Sequence, residues 1–77
     1  MFAAVRFQVD ADASPGLLPR LLQPFARRDL VPDHFRAVHA DGVVTVGIRM
    51  AAMPAEMVHL IEGNLRQVVG VRQVVLA

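Results

Sequence analysis

Ser14 and Thr45 carry the only hydroxyl groups in this 77-residue sequence, and Cys, Tyr, Lys and Trp are absent. Proton transfer could therefore fall only to seven carboxylates and to His34, His39 and His59. A serine nucleophile needs a base beside it. Ser14 instead precedes Pro15 and a leucine-rich run, where its oxygen reads as a helix cap accepting an amide two or three residues on. His34 and His39 lie five apart on an extended segment, which sends them to opposite faces. Only Asp33 is near, whereas a metal site needs convergent ligands, so both read as exposed strand residues. His59 reads as a surface helix residue. No catalytic group, metal or cofactor is expected. Without cysteine, disulfides, thiolate metal sites and thiol catalysis are excluded.

Binding chemistry has better candidates. From Asp12 the sequence runs Asp-Ala-Ser-Pro-Gly-Leu-Leu, a strand end turning into a helix. A helix N-terminus favours negative charge. Pro15 and Gly16 could shape such a turn alone or serve an anion there, and both readings stay open. Arg6, Arg36, Arg49 and Arg72 raise nucleic-acid binding as a third possibility. A sheet that reads RNA stacks bases on aromatics of its central strands. The aromatics here are Phe2, Phe7, Phe25 and Phe35; Phe7 shares a face with Val5 and Val9 and belongs to a core, so nucleic acid is not the expected partner.

These residues are positioned by a single small domain, residues 1–77. The apolar fraction is 55% and the net charge +1, which argues against a disordered chain or a polyanion binder. No apolar run approaches the roughly 18 residues of a membrane span. The alternating first ten residues lack the pattern of a secretory leader, so a cytoplasmic protein is expected. A chain this short hides only about 60% of its unfolded surface, which makes self-association or a partner a source of stability.

Val5, Phe7 and Val9 alternate with polar residues, predicting a strand over Phe2 to Val9. Pro15 suits the first helical position. Leu17, Leu18, Leu21, Leu22 and Phe25 form a helical stripe, while Pro19 and Pro24 should each delete an intrahelical bond, giving a distorted or late-starting helix. Two strands, His34 to Ala40 and Val43 to Met50, flank an Asp41–Gly42 hairpin signal. Pro54 then opens a second helix through Val58, Ile61, Leu65 and Val68, stopped by Gly70, and Val71 to Leu76 reads as a final strand. Strand, helix, strand, strand, helix, strand with right-handed crossovers is a ferredoxin-like βαββαβ sandwich, two helices on one face of a four-stranded antiparallel sheet. In that topology the segment His34, Phe35, Arg36, Ala37, Val38 and His39 is an exposed edge through which two copies could pair into a dimer or larger assembly.

Asp12, Pro15, Gly16, Leu17, Leu18, Arg20, Phe25, Arg27 and Arg28, followed by Pro54, Leu60, Leu65, Val68, Val71 and Val74, resemble the short small subunits of acetolactate synthase, members of the ACT-domain family. The resemblance spans nearly the whole chain. It implies a non-catalytic regulatory subunit in branched-chain amino-acid biosynthesis, which activates a thiamine-diphosphate-dependent large subunit. It also implies a small amino-acid effector at Asp12, Ala13, Pro15, Gly16 and Leu17, its carboxylate on the amides of Gly16 and Leu17 and its amino group at Asp12. The Pro-Gly-x-Leu element is shared by ACT modules attached to many enzymes, so an amino-acid sensor serving another enzyme is the alternative. The sequence departs from the family where an effector-contacting Asn falls on Ala13, a Gly on Asp29 and a second Asn on Val31. Weak or absent valine binding is expected from the loss of that amide.

Overall fold

The computed structural model describes residues 1–77. Its elements are β1 (Phe2–Asp12), α1 (Leu17–Ala26), β2 (His34–Ala40), β3 (Val43–Pro54), a single 3₁₀ turn (Ala55–Met57), α2 (Val58–Arg66) and β4 (Val71–Leu76). The four strands form one antiparallel sheet in the order β2-β3-β1-β4. This is the ferredoxin-like arrangement expected from the element order. No helix is long and apolar enough to cross a membrane.

Period-two patterning creates one apolar sheet face. Phe7, Val9 and Ala11 on β1, Val44, Val46, Ile48 and Met50 on β3 and Val74 on β4 are all buried. Leu17, Leu21, Pro24 and Phe25 of α1 and Ile61 and Leu65 of α2 are buried with them. Phe7 and Phe25 meet edge to face, with ring centroids 5.8 Å apart and planes at 77°. That geometry suits the ring quadrupoles and ties β1 to α1.

Both central strands run further than the alternation suggests. β1 continues past Val9 because Asp10, Ala11 and Asp12 pair with Thr45, Val44 and Val43. β3 continues past Met50 because Met53 and Pro54 pair with Ala3 and Phe2, at the opposite end of the sequence. Between Ala3 and Val5 the partner shifts from Met53 to Met50, so β3 carries one extra residue. Such a bulge moves the alternation by one position. Met53 thereby returns to the core beside Met50. Pro54 accordingly ends a strand and precedes the 3₁₀ turn instead of opening α2, which begins at Val58 and ends before Val68. A second shift, between Asp10 and Ala11, leaves Arg72 as the extra residue on β4.

The Asp41–Gly42 hairpin has positive φ at both residues, 55° and 76°, the type I′ pattern that matches strand twist. At the end of α1 the Leu30 N–H donates to Phe25 O (2.9 Å) and the Asp29 N–H to Ala26 O (3.2 Å). With Asp29 at φ 54°, these bonds define a Schellman closure, and Leu30 packs back on the core. In α2, Glu62 accepts from Arg66 at 2.7 Å and contacts His59 at 3.1 Å. The Arg66 and His59 hydrogen bonds hold its carboxyl below the ordinary carboxylate value of 4.5.

Candidate functional site

The junction of β1 and α1 is built by a turn. The Leu17 N–H donates to Ser14 O at 3.2 Å, and Gly16 has φ 81° and ψ 0°. A turn with proline second and a left-handed third residue is type II, for which glycine is the favoured residue. Pro15 therefore lies outside the helix, which starts at Leu17 with Gly16 as its cap residue and no side-chain cap. The Ser14 side chain does not cap α1; the turn engages its carbonyl instead. The helix does start late, as its prolines require. Pro19 falls in the first turn, where an amide has no intrahelical acceptor, so only Pro24 withholds a bond from the helix.

Around this turn an open cavity of about 500 Å³ is lined by Ala13, Ser14, Pro15, Leu17, Leu18, Ala37, His39 and Val44. Its size falls within the roughly 300 to 1,000 Å³ of small-molecule sites. Its existence depends on β2. Phe35, Ala37 and His39 share the face that the core occupies in neighbouring strands, yet only Phe35 is even half-buried. Neither helix covers this strand. Two alanines, Ala13 and Ala37, keep the space beneath the turn empty. Most of the wall is apolar; Ser14 and His39 supply its polar side chains.

Ala13, Pro15 and Leu17, read from the sequence as effector residues, line the cavity together. Asp12 does not join them. It closes β1 opposite Val43 and forms an ion pair with Arg72, whose side chain the β4 bulge redirects. The Leu17 amide is likewise committed to the turn, whereas the N–H groups of Gly16 and Leu18 donate to no backbone carbonyl. Arg20 folds over the turn: a Cβ added at Gly16 would lie 3.5 Å from Arg20 Nη2. Sequence reasoning overlooked Leu18, Ala37, His39 and Val44 as wall residues and assigned Ser14 another role. The alternation on β2 already grouped Ala37 with His39; what it could not show was that no helix lies above them.

No hydrogen bond joins the Ser14 hydroxyl to the His39 ring. The edges of the sheet also differ. On β4 the Val74 carbonyl accepts from Arg66 at 3.0 Å. On β2 the outer backbone edge has no strand beside it.

An antiparallel β2-β3-β1-β4 sheet with two helices defines the ferredoxin-like class, which hosts regulatory, small-molecule-binding modules among other functions. The ACT-like domain family model matches residues 2–77, and the chain belongs to that family. Its fold is similar to the ACT domain from GTP pyrophosphokinase of Chlorobium tepidum, at a TM-score of 0.85 and 14% identity with all of both chains covered. It is similar also to an uncharacterized protein from Thermotoga maritima (TM-score 0.80, 9% identity, 100% of this chain and 96% of that one). A third likeness is to the C-terminal domain of the MgtC protein from Mycobacterium tuberculosis (TM-score 0.73, 14% identity, 96% and 84%). A comparison with curated protein sequences finds no match.

Proposed function

We propose that this chain is a non-catalytic regulatory subunit that takes a small amino acid in the cavity at Ala13 and His39 and acts through β2 on a second copy and on a separate catalytic subunit. One observation carries the reading: the wall of the cavity and the unpaired edge of the sheet are the same strand. Ala37 and His39 face the ligand space while their backbone lies on the open edge. An occupant that orders β2 would favour strand pairing, and pairing would in turn favour the occupant, because coupling between two sites is reciprocal. The apolar wall suits an aliphatic side chain, and the free Gly16 amide and the Arg20 guanidinium, outside the lining but on the adjoining turn, suit a carboxylate at the cavity's margin.

The motif from Asp12 to Arg28, similar to that of acetolactate synthase small subunits, supports a thiamine-diphosphate-dependent large subunit as the catalytic partner. Mixed with that subunit, the chain should raise acetolactate formation from pyruvate while showing none alone. A large subunit equally active without it, with no complex in pull-down, would overturn the assignment. Ala13 favours a second reading. Without a side-chain amide the wall loses the group that would orient valine, which suits a sensor of another apolar ligand serving another enzyme. Calorimetry with a panel of amino acids separates the two.

A further inference from the structure

The other face of the sheet, away from the helices, presents a different chemistry. Arg49 on β3 stands directly opposite Arg6 on β1 and opposite His34 on β2. In the next register row Gly47 stands between Arg36 and Gln8. Like charges placed opposite one another across strands are destabilising. Two of the eight arginines are ion-paired, Arg66 with Glu62 and Arg72 with Asp12. Arg6, Arg36 and Arg49 have neither an ion pair nor a side-chain hydrogen bond. Asp33, beside His34, is occupied with the Ala51 N–H, from which its Oδ2 accepts at 2.6 Å.

Gly47 supplies an independent observation. It lies inside a strand, where glycine weakens pairing and often marks the close approach of another group. Its φ is not in the left-handed region, and an added Cβ would meet nothing nearer than Arg6 Nη2 at 3.6 Å. Neither backbone conformation nor neighbouring atoms demand glycine here. Its consequence is a hollow of about 350 Å³, floored by the bare backbone and rimmed by Arg6, His34, Arg36, Arg49 and the Thr45 side chain.

We propose that this hollow is a second ligand site, separate from the cavity at Ala13, and that it binds a small polyanion bearing a pyrophosphate group, free or as part of a nucleotide. Guanidinium groups match phosphate oxygens in two-point hydrogen bonds. Arginines on three strands spaced about 4.8 Å apart can engage two linked phosphates together. A polynucleotide fits less well: the rim has no Phe, Tyr or Trp, and His34 is the single ring on which a base could stack. A bound diphosphate would also remove the mutual repulsion of the three cations.

The experiment is a calorimetric and amide-NMR titration of the intact chain at low salt with inorganic pyrophosphate, a nucleoside diphosphate, orthophosphate and a single-stranded RNA. Saturable binding of pyrophosphate is expected, with shifts centred on Arg6, Gly47 and Arg49 and none at Ala13 or Ser14. Orthophosphate should bind about tenfold more weakly, through the loss of one or two charged hydrogen bonds. A nucleoside diphosphate binding more tightly than pyrophosphate would identify a nucleotide site; equal affinity would assign recognition to the pyrophosphate alone. Gly47→Val, a substitution compatible with a strand, should fill the floor and abolish binding with the circular dichroism unchanged. Arg36→Gln and Arg49→Gln should each weaken binding about tenfold. Binding unaffected by Gly47→Val, or saturation by RNA with none by pyrophosphate, would overturn the proposal.

Discussion

A left-handed backbone closes α1 at Asp29, where the sequence departs from the glycine of the motif it resembles, and Leu30 seals the closure against the core. Aspartate tolerates this conformation better than most residues but not as readily as glycine. Asp29→Gly should raise stability by about 0.5 kcal/mol, and Asp29→Val should lower it by about 1 to 2 kcal/mol, read from urea midpoints. Ala13 is the other telling departure. It lines the cavity, and its N–H is anchored to the Gly42 carbonyl at 2.9 Å. Ala13→Asn should therefore place an amide in the cavity without disturbing the backbone. The affinity for an aliphatic amino acid should rise about two- to tenfold in calorimetry. Both positions could be singled out in the sequence because each replaces a residue type with a specific backbone or hydrogen-bonding role. Asp12 could not be placed the same way. Its partnership with Arg72 depends on a one-residue bulge in β4, and period-two patterning carries no trace of a bulge.

Among the elements, those defined by local chemistry were legible. The Asp41–Gly42 hairpin, the stretch His34–Ala40 and the last strand Val71–Leu76 stand where alternation and turn residues put them. The end of β3 did not follow from local pattern, because its last residues are held by Phe2 and Ala3 from the other end of the sequence. β2 is the element with most surface to spare. An inward-pointing charge at the middle of an edge strand obstructs pairing. Ala37→Lys should dissociate a self-associated form to the 8.4 kDa monomer in sedimentation equilibrium. An unmodified chain that already sediments as a monomer at tens of micromolar would remove β2 as a joining edge. In α2 the folded state lowers the Glu62 pKa, so the stability Glu62 contributes is present above its ordinary value of 4.5 and is lost as pH falls through the lowered value. Glu62→Gln should be less stable than the unmodified chain near neutral pH, with the difference vanishing once the pH has fallen below the lowered value, followed by chemical denaturation.

As a whole the molecule measures 39 × 19 × 17 Å, an elongated body whose core is one layer of side chains between sheet and helices. Fourteen apolar residues fill it, with Phe7 and Phe25 the largest. Truncating either ring should leave a cavity costing about 3 to 5 kcal/mol, a large share of the 5 to 15 kcal/mol typical of a folded domain. Phe25→Ala should accordingly leave the chain partly unfolded at 25 °C by near-ultraviolet-silent probes such as amide exchange, with Phe25→Leu recovering most of the loss. The order β2-β3-β1-β4 also has a consequence in time. β1 is synthesised first and ends in the middle of the sheet, where it must wait for Val43–Pro54 on one side and Val71–Leu76 on the other. Its final bonds, between Arg6 and Ala77, join residues at opposite ends of the chain. Contacts so distant in sequence make folding slower than in a helical bundle of the same length. A nascent chain on the ribosome would hold β2 and β3 as a hairpin while β1 still lacked its outer neighbour, so the sheet can be completed only once Val71–Leu76 has emerged.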